Sequence, residues 1–451
     1  MPDPDRIQHA AHTVVTRCLA LPAESEVAII ADETTLSVAQ ALASAAESND
    51  HRSHLIFFHS AVQAGLAEKP LGETIKSVLR DVAGTILCTN GSALCLSFRD
   101  NIRRAAWGRG RKVAHMPGAN WRTLLAADAD YDYLAHWCEM LALSLVKGRE
   151  IRITSFDREG RAHSLKAALS PWLRMPIISD GVIHDGAWGN VPSGETFVAP
   201  MENSAEGEIV INGSIPGMVL TPHLELVLRF EAGRVVSIMP DENPAAQHLR
   251  QSILKHAHEQ GDPNWDNLAE IGLGVNQSVR RLTGVPLLDE KKYGSAHIAL
   301  GDSTDMGGEV PSLVHCDMVC LRPEVTVDDK PILAGGKIVL NEADWREDYR
   351  TLQLPDGWNP RRTVTATAIE AKVNGRGQLH RQWDTSSGRL CAVPVGNEAT
   401  AIKAAGLWRA LKDAARPIDL HELYPTWRDV DDDSVERLVH LLELYGLAQT
   451  D

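Results

Sequence analysis

The sequence predicts three parts in order. They are an α/β N-terminal domain with a parallel sheet (1–148), a β-rich α+β catalytic domain (149–362) and a small C-terminal winged-helix domain (363–451). Three observations carry this division. Short continuous apolar runs alternate with helical patterns in the first third, as in a doubly wound layer. From about Glu150 the texture changes to alternating strands joined by glycine turns. Beyond Thr363 two strand-like segments precede three helical ones.

In the first part, Glu26-Val27-Ala28-Ile29-Ile30 reads as a buried strand, and Leu36, Ala39, Leu42 and Ala45 recur at helical spacing. Residues 54–58, 85–88 and 112–116 read as further strands, with a helix around 75–82. No G-x-G-x-x-G follows the first strand. Ala31-Asp32-Glu33-Thr34-Thr35 stands there, and its acids would repel a pyrophosphate. This part is therefore read as a scaffold that walls a site, with no nucleotide bound.

In the second part, Ile151-Arg152-Ile153-Thr154 alternates and Arg158-Glu159-Gly160 marks a turn. Residues 208–211, 224–230 and 234–238 are strands, the last two joined through Glu231-Ala232-Gly233. Residues 243–260 read as an amphipathic helix with Ala246, Leu249, Ile253 and His256 on one side, and strands follow at 296–300 and 313–321. In the third part, a hairpin is expected from 379–383 and 389–394 across Ser386-Ser387-Gly388. Helices follow at 399–414, around Leu420 and Leu423, and at 434–445, the last ending at Gly446 as a C-cap.

Bulk properties exclude some partners. A formal net charge of −15 over 451 residues disfavours nucleic acid and anionic membrane, both of which reward a basic surface. The cluster of Arg103, Arg104, Arg109, Arg111 and Lys112 reads as a solvated rim. The first 17 residues lack the apolar stretch of a secretory signal, and no run is long enough to span a bilayer. Seven scattered cysteines with no C-x-x-C pair suit free thiols in a reducing compartment, so a cytoplasmic location is expected.

Glycines and potential metal ligands concentrate in four segments: 188–195, 269–276, 297–301 and His315-Cys316-Asp317. On a strand, residues i and i+2 share a face, so His315 and Asp317 offer an imidazole and a carboxylate to one point. Zinc, cobalt or iron accepts such a mixed nitrogen and oxygen set. Glycines beside Glu195 and near Glu270 allow close backbone approach that aims the carboxylates.

These strings, with Leu287-Leu288-Asp289-Glu290-Lys291 between them, resemble the aminopeptidase T family of metallopeptidases over roughly residues 10–345. The resemblance implies two divalent metal ions (zinc, cobalt or manganese) held by Glu195, Glu270, His297, His315 and Asp317. It also implies Glu195 or Glu270 as general base, Lys291 holding ligands through hydrogen bonds, and a homodimer. Thr304 stands where the family's catalytic tyrosine is expected, and a threonine is too short to cover the same position. A second group in this superfamily, mononuclear iron enzymes that open dihydroxypyridine rings, resembles the chain in H-x-D and part of W-x-x-x-P-S-G. Those enzymes lose the glutamate at the position of Glu195 and carry histidine at that of Glu270. Retention of both glutamates favours the dinuclear hydrolase.

The last part resembles the small winged-helix peptide chaperone of pyrroloquinoline quinone synthesis, through Val393-Pro394-Val395, residues 405–411 and 438–447. That resemblance implies capture of an extended peptide, such as a leader peptide, at a sheet edge. The acids Asp429, Asp431, Asp432 and Asp433 before the third helix would repel DNA. The expected function is a metal-dependent aminopeptidase-like hydrolase cleaving a peptide or related amide, with a ribosomal peptide precursor as the substrate docked by the tail. The alternatives are a peptide-binding protein without turnover and an iron-dependent ring-cleaving dioxygenase.

Overall fold

Five strands pair in parallel in the order Arg52–Phe57, Glu26–Ala31, Gly84–Cys88, Lys112–His115, Trp188–Asn190. The structure is a computed structural model that describes residues 3–60, 63, 71–91, 96–355, 363–384, 390–414, 416–419 and 432–450. Val27, Ile29, Ile30, Ile86, Leu87 and Val113 are fully buried, as continuous apolar strands require when helices cover both faces. Helix Leu36–Glu47 turns Val38, Ala39 and Leu42 inward. The fifth strand was not anticipated. Trp188-Gly189-Asn190 carries no periodicity of its own, and only pairing with Lys112–His115 makes it a strand. Asp32, buried where the first strand ends, accepts hydrogen bonds from Thr34 N (2.9 Å), Gln63 Nε2 (2.9 Å) and Asn90 N (2.5 Å). Its carboxylate ties together the segments at Thr34, Gln63 and Asn90.

Two antiparallel sheets follow. One has eight strands, among them Glu150–Phe156, Ala162–Ala168, Glu206–Ile211, Leu226–Glu231 and Arg234–Met239. The other has seven, in the order Met218–Val219, Ser214–Ile215, His315–Leu321, Ser295–Gly301, Leu268–Gly274, Glu195–Val198, Ile177–Ser179. Every residue of Leu268–Gly274 and Ser295–Gly301 is buried. Helix Tyr131–Lys147, capped by Asp130, lies against the edge of this sheet: Thr196 Oγ1 donates to the Cys138 carbonyl at 2.8 Å. The helix expected over 243–260 is broken into Pro244–His248, a π-turn at Leu249–Ile253, and Lys255–Glu259. The wider turn shifts the helical phase, so Leu254 and Ala257 are buried, while His256 is exposed and Ile253 only half-buried.

Contacts divide the chain into two units, one holding described residues 3–170 and 174–339, the other 171–173 and those from Leu340 onward. The boundary read at 148/149 falls inside the first unit, between Tyr131–Lys147 and Glu150–Phe156. In the second unit, Leu379–Asp384 pairs antiparallel with Leu390–Pro394, and helices span Glu398–Ala414 and Asp432–Leu444. Gly446 adopts a φ of 68° after the last helix. The turn Ser386-Ser387-Gly388 and the helix around Leu420 and Leu423 lie outside the described residues, and the winged-helix expectation rests in part on them. An additional sheet of Ile418–Asp419, Thr363–Ala366 and Ala448–Thr450 was not expected. No helix among the described residues is long and apolar enough to cross a membrane. The six cysteines among them are buried, and Cys95 lies outside.

His115 ends the fourth parallel strand with Nδ1 3.0 Å from Asn190 Oδ1. Burial pushes its pKa down to about 4; the Asn190 hydrogen bond opposes this, and the charges of Arg99 and Arg103 add to it. An unfolded histidine protonates near pH 6.5, so the unfolded chain takes up this proton first as pH falls. The stability held by neutral His115 is complete above about pH 6.5 and is lost on descending to about 4. His115→Gln is expected to remove about 2 kcal/mol of this acid sensitivity, read from denaturant midpoints between pH 7 and 4.5.

Candidate metal centre

The seven-stranded sheet decides which side chains meet. Across it, Glu195 pairs with Gly274, His297 with Gly272, Glu270 with Ala299, Ala299 with Asp317, and Gly301 with His315. Pleat parity puts Glu195, Glu270, His297, His315 and Asp317 on one face. Two glycines of the Glu270 strand leave the room they occupy. A Cβ at Gly272 would lie 2.1 Å from His297 Nε2, so the imidazole rests where a side chain would be. A Cβ at Gly274 would lie 2.3 Å from the Lys292 carbonyl oxygen, because residues 290–292 cross directly over it. That crossing delivers Glu290 and Lys291 to the centre.

The five side chains form one run of contacts. Glu195 Oε2 is 3.9 Å from His297 Nε2, which is 2.9 Å from Glu270 Oε1. Glu270 Oε2 is 3.2 Å from His315 Nε2, which is 3.2 Å from Asp317 Oδ1. His315 Nδ1 bonds the Asp302 carbonyl at 2.8 Å, which aims Nε2 inward. Lys291, wholly buried, donates from Nζ to Glu195 Oε1 at 2.8 Å and also to Glu290 Oε1. Asp289 is spent elsewhere, accepting from the Thr283 and Gly284 amides. Thr304 is exposed and its hydroxyl donates to Asp302 Oδ1 at 2.7 Å; the structure does not bring it into the cluster.

The electrostatics match a site built for cations. Burial alone would raise Glu270, but hydrogen bonds from His297 and His315 pull it down to about 2. Burial and the Glu195 charge push Glu290 up to about 8, against the pull of Lys291. Burial lowers His297, yet Glu270 carries it up to about 9; Asp317 and Glu270 likewise hold His315 well above the usual imidazole range. Burial opposes the charge on Lys291, and Glu195 and Glu290 outweigh it.

The donor set fits divalent ions. Ligand atoms of Glu270, His297 and Asp317 all lie within 4.8 Å of one another, as do those of Glu195, Glu290 and His297. Ligands about 2.0–2.2 Å from a shared ion are themselves roughly 3–4 Å apart. Glu195 Oε2 is buried and has no hydrogen-bond partner. Such an orphaned carboxylate oxygen is costly unless a cation meets it. Glu290 is the member that sequence reasoning did not place among the ligands; its adjacency to Lys291 in the Asp289-Glu290-Lys291 string was the available signal.

Gly272→Ala tests the register directly. The added methyl is expected to push the His297 ring out and cut bound metal at least tenfold, read by elemental analysis against the wild type. The circular dichroism spectrum is expected to stay native.

Residues 182–330 match the family described as thermophilic metalloprotease (M29). That stretch holds every side chain of the cluster. Among curated proteins, the chain is 27% identical to 2,5-dihydroxypyridine 5,6-dioxygenase of Pseudomonas putida over 171 residues, 35% of this chain and 46% of that protein. The match thus spans less than half of that relative's length. Two solved structures share the mixed fold of parallel and antiparallel sheets. The 2,5-dihydroxypyridine dioxygenase of Pseudomonas putida superposes with a TM-score of 0.57 at 18% identity, covering 75% of this chain and 97% of that one. Wild-type AmpT from Thermus thermophilus superposes with a TM-score of 0.54 at 15% identity, covering 74% and 99%.

Proposed function

We propose that the chain is a dinuclear metal-dependent hydrolase of the aminopeptidase type, acting on an N-terminal peptide bond or a related amide. The observation that carries this is the paired carboxylate and imidazole cluster with the unpartnered Glu195 Oε2, within the stretch that matches the metalloprotease family. Two groups of ligand atoms support two ions: Glu195 with Glu290 and His297, and Glu270 with His297 and Asp317.

Glu195 and His297, with Glu290, would hold one ion, and Glu270, His315 and Asp317 the other. Bound there, such ions polarise a carbonyl and acidify a water. The protein's part is positional. Lys291 pins Glu195 Oε1 and leaves Oε2 directed at the centre, while the Asp302 carbonyl fixes the tautomer and aim of His315. Glu195 or Glu270 would accept the proton of the attacking water. With the Thr304 hydroxyl engaged by Asp302, no tyrosine-like donor is assigned to it. In the second unit, the sheet edges at Ala371–Val373 and Leu390–Pro394 would take up an extended peptide by strand addition, such as the leader of a ribosomal precursor.

The curated relative favours one rival, an iron-dependent ring-opening dioxygenase. Elemental analysis separates the two. About two metals per chain, with hydrolysis of aminoacyl-p-nitroanilides in zinc, cobalt or manganese, supports the hydrolase. One iron per chain, with oxygen uptake on a dihydroxypyridine and no anilide cleavage, would overturn it.

A further inference from the structure

Beside the cluster, within the first unit, lies a cavity of about 290 Å³ that none of the ligands lines. Three links tie it to the centre. Phe197, on its wall, follows Glu195 by two residues on the same strand face and pairs with Gly272, over which the His297 ring rests. Ser179, another wall residue, pairs with Glu195 itself. Asp305 and Met306 also line it, three and four residues beyond Asp302, whose carbonyl holds His315. The cavity therefore begins about one strand spacing, roughly 5 Å, from the imidazole.

Its chemistry is distinctive in a chain of net charge −15. Arg103 and Arg104, read from sequence as a solvated rim, both line it. The Arg103 guanidinium stacks 4.1 Å from the Trp188 ring centre and pairs with Asp100 at 3.0 Å, so it is held flat and oriented. Trp107, Trp188 and Phe197 supply apolar faces. Asp305 is the one carboxylate of the lining; Arg103 is shared with Asp100 outside it, and Arg104 brings a second guanidinium. An oriented guanidinium beside aromatic walls suits a short hydrocarbon stem ending in a carboxylate.

We propose that this cavity, on the hydrolase reading above, receives the substrate side chain next to the bond cut and selects a carboxylate-bearing one, glutamyl over leucyl. Two measurements on the metal-loaded protein test it. The first is binding of glutarate against isocaproate by calorimetry, which needs no turnover. Glutarate is expected to bind about tenfold more tightly, and Arg103→Lys and Arg104→Glu are each expected to erase most of that margin. Arg104 is exposed, so its variant keeps the test sound should Arg103→Lys fold poorly. Equal binding of the two acids, or a margin untouched by both substitutions, overturns the proposal. The second is the kcat/KM ratio of glutamyl- to leucyl-p-nitroanilide, expected above about ten and collapsing in the same variants. Arginine-dependent glutarate binding without cleavage of any anilide supports the subsite and sinks the hydrolase. Cleavage with leucyl preferred does the reverse.

Discussion

Replacing His297 with glutamine is expected to strip the centre: bound metal falls below about a tenth of the wild-type value and turnover drops roughly 10³-fold or more. The size of the effect follows from the position. In the proposed pair His297 holds the ion shared with Glu195 and Glu290, and its Nε2 lies 2.9 Å from Glu270, which holds the other, so its loss disturbs both half-sites. It is fully buried, and its ring fills the space over Gly272, so no neighbour can swing in to replace it. Glutamine keeps a polar tip of similar reach but not the charge that faces Glu270, so melting in the presence of a chelator is expected several degrees below the wild type, with native circular dichroism at about 25 °C. Thr304→Val is the contrasting case. Its hydroxyl serves Asp302, so metal content is expected to stay at the wild-type value. Full metal content in His297→Gln would remove this residue from the centre and split the proposed pair.

Lys291→Met is expected to have the largest effect on stability. The ammonium has no solvent exposure and bonds two carboxylates, Glu195 and Glu290. Burial disfavours its charge, but the two acids more than compensate, so it remains a cation. Removing one partner of a buried ion network leaves the others uncompensated and costs about 3–5 kcal/mol. For a large domain that corresponds to a fall in Tm of roughly 6–15 °C, measured with chelator present. Added zinc should restore part of the loss, since a bound cation answers the same carboxylates. A chelated Lys291→Met that melts like the wild type would show that the ammonium holds nothing.

Much of the centre was legible because strand parity is local. His315 and Asp317 share a face by counting alone, and glycine near Glu270 signalled close approach before any contact was known. The parallel strands were legible for a similar reason, since continuous apolar runs report burial on both faces. What was hidden depends on distant segments. Glu290 joins the cluster only because residues 290–292 cross over Gly274, a contact that no spacing encodes. The strand Trp188–Asn190 exists through its partner at Lys112–His115. The π-turn at Leu249–Ile253 adds one residue to a helical turn, and an ideal 3.6-residue wheel then assigns Ile253 and His256 to the wrong side. The arginines at 103 and 104 were assigned to a solvated rim because charge composition cannot report a concave surface.

The passage from the parallel sheet to the ligand sheet occupies only the residues between Asn190 and Glu195. Ser193 in that passage is buried, bonded to the Ser179 carbonyl at 2.8 Å and gripped through its own carbonyl by Asn276 Nδ2 at 2.6 Å. A segment so short and so fastened behaves as a rod and not as a tether. Heat or denaturant that loosens the amino-terminal layer pulls on Glu195 at the same moment. On the proposed function, release of metal is then the expected first step of inactivation, ahead of any visible loss of helix, and a chelator present during heating is expected to make that step irreversible.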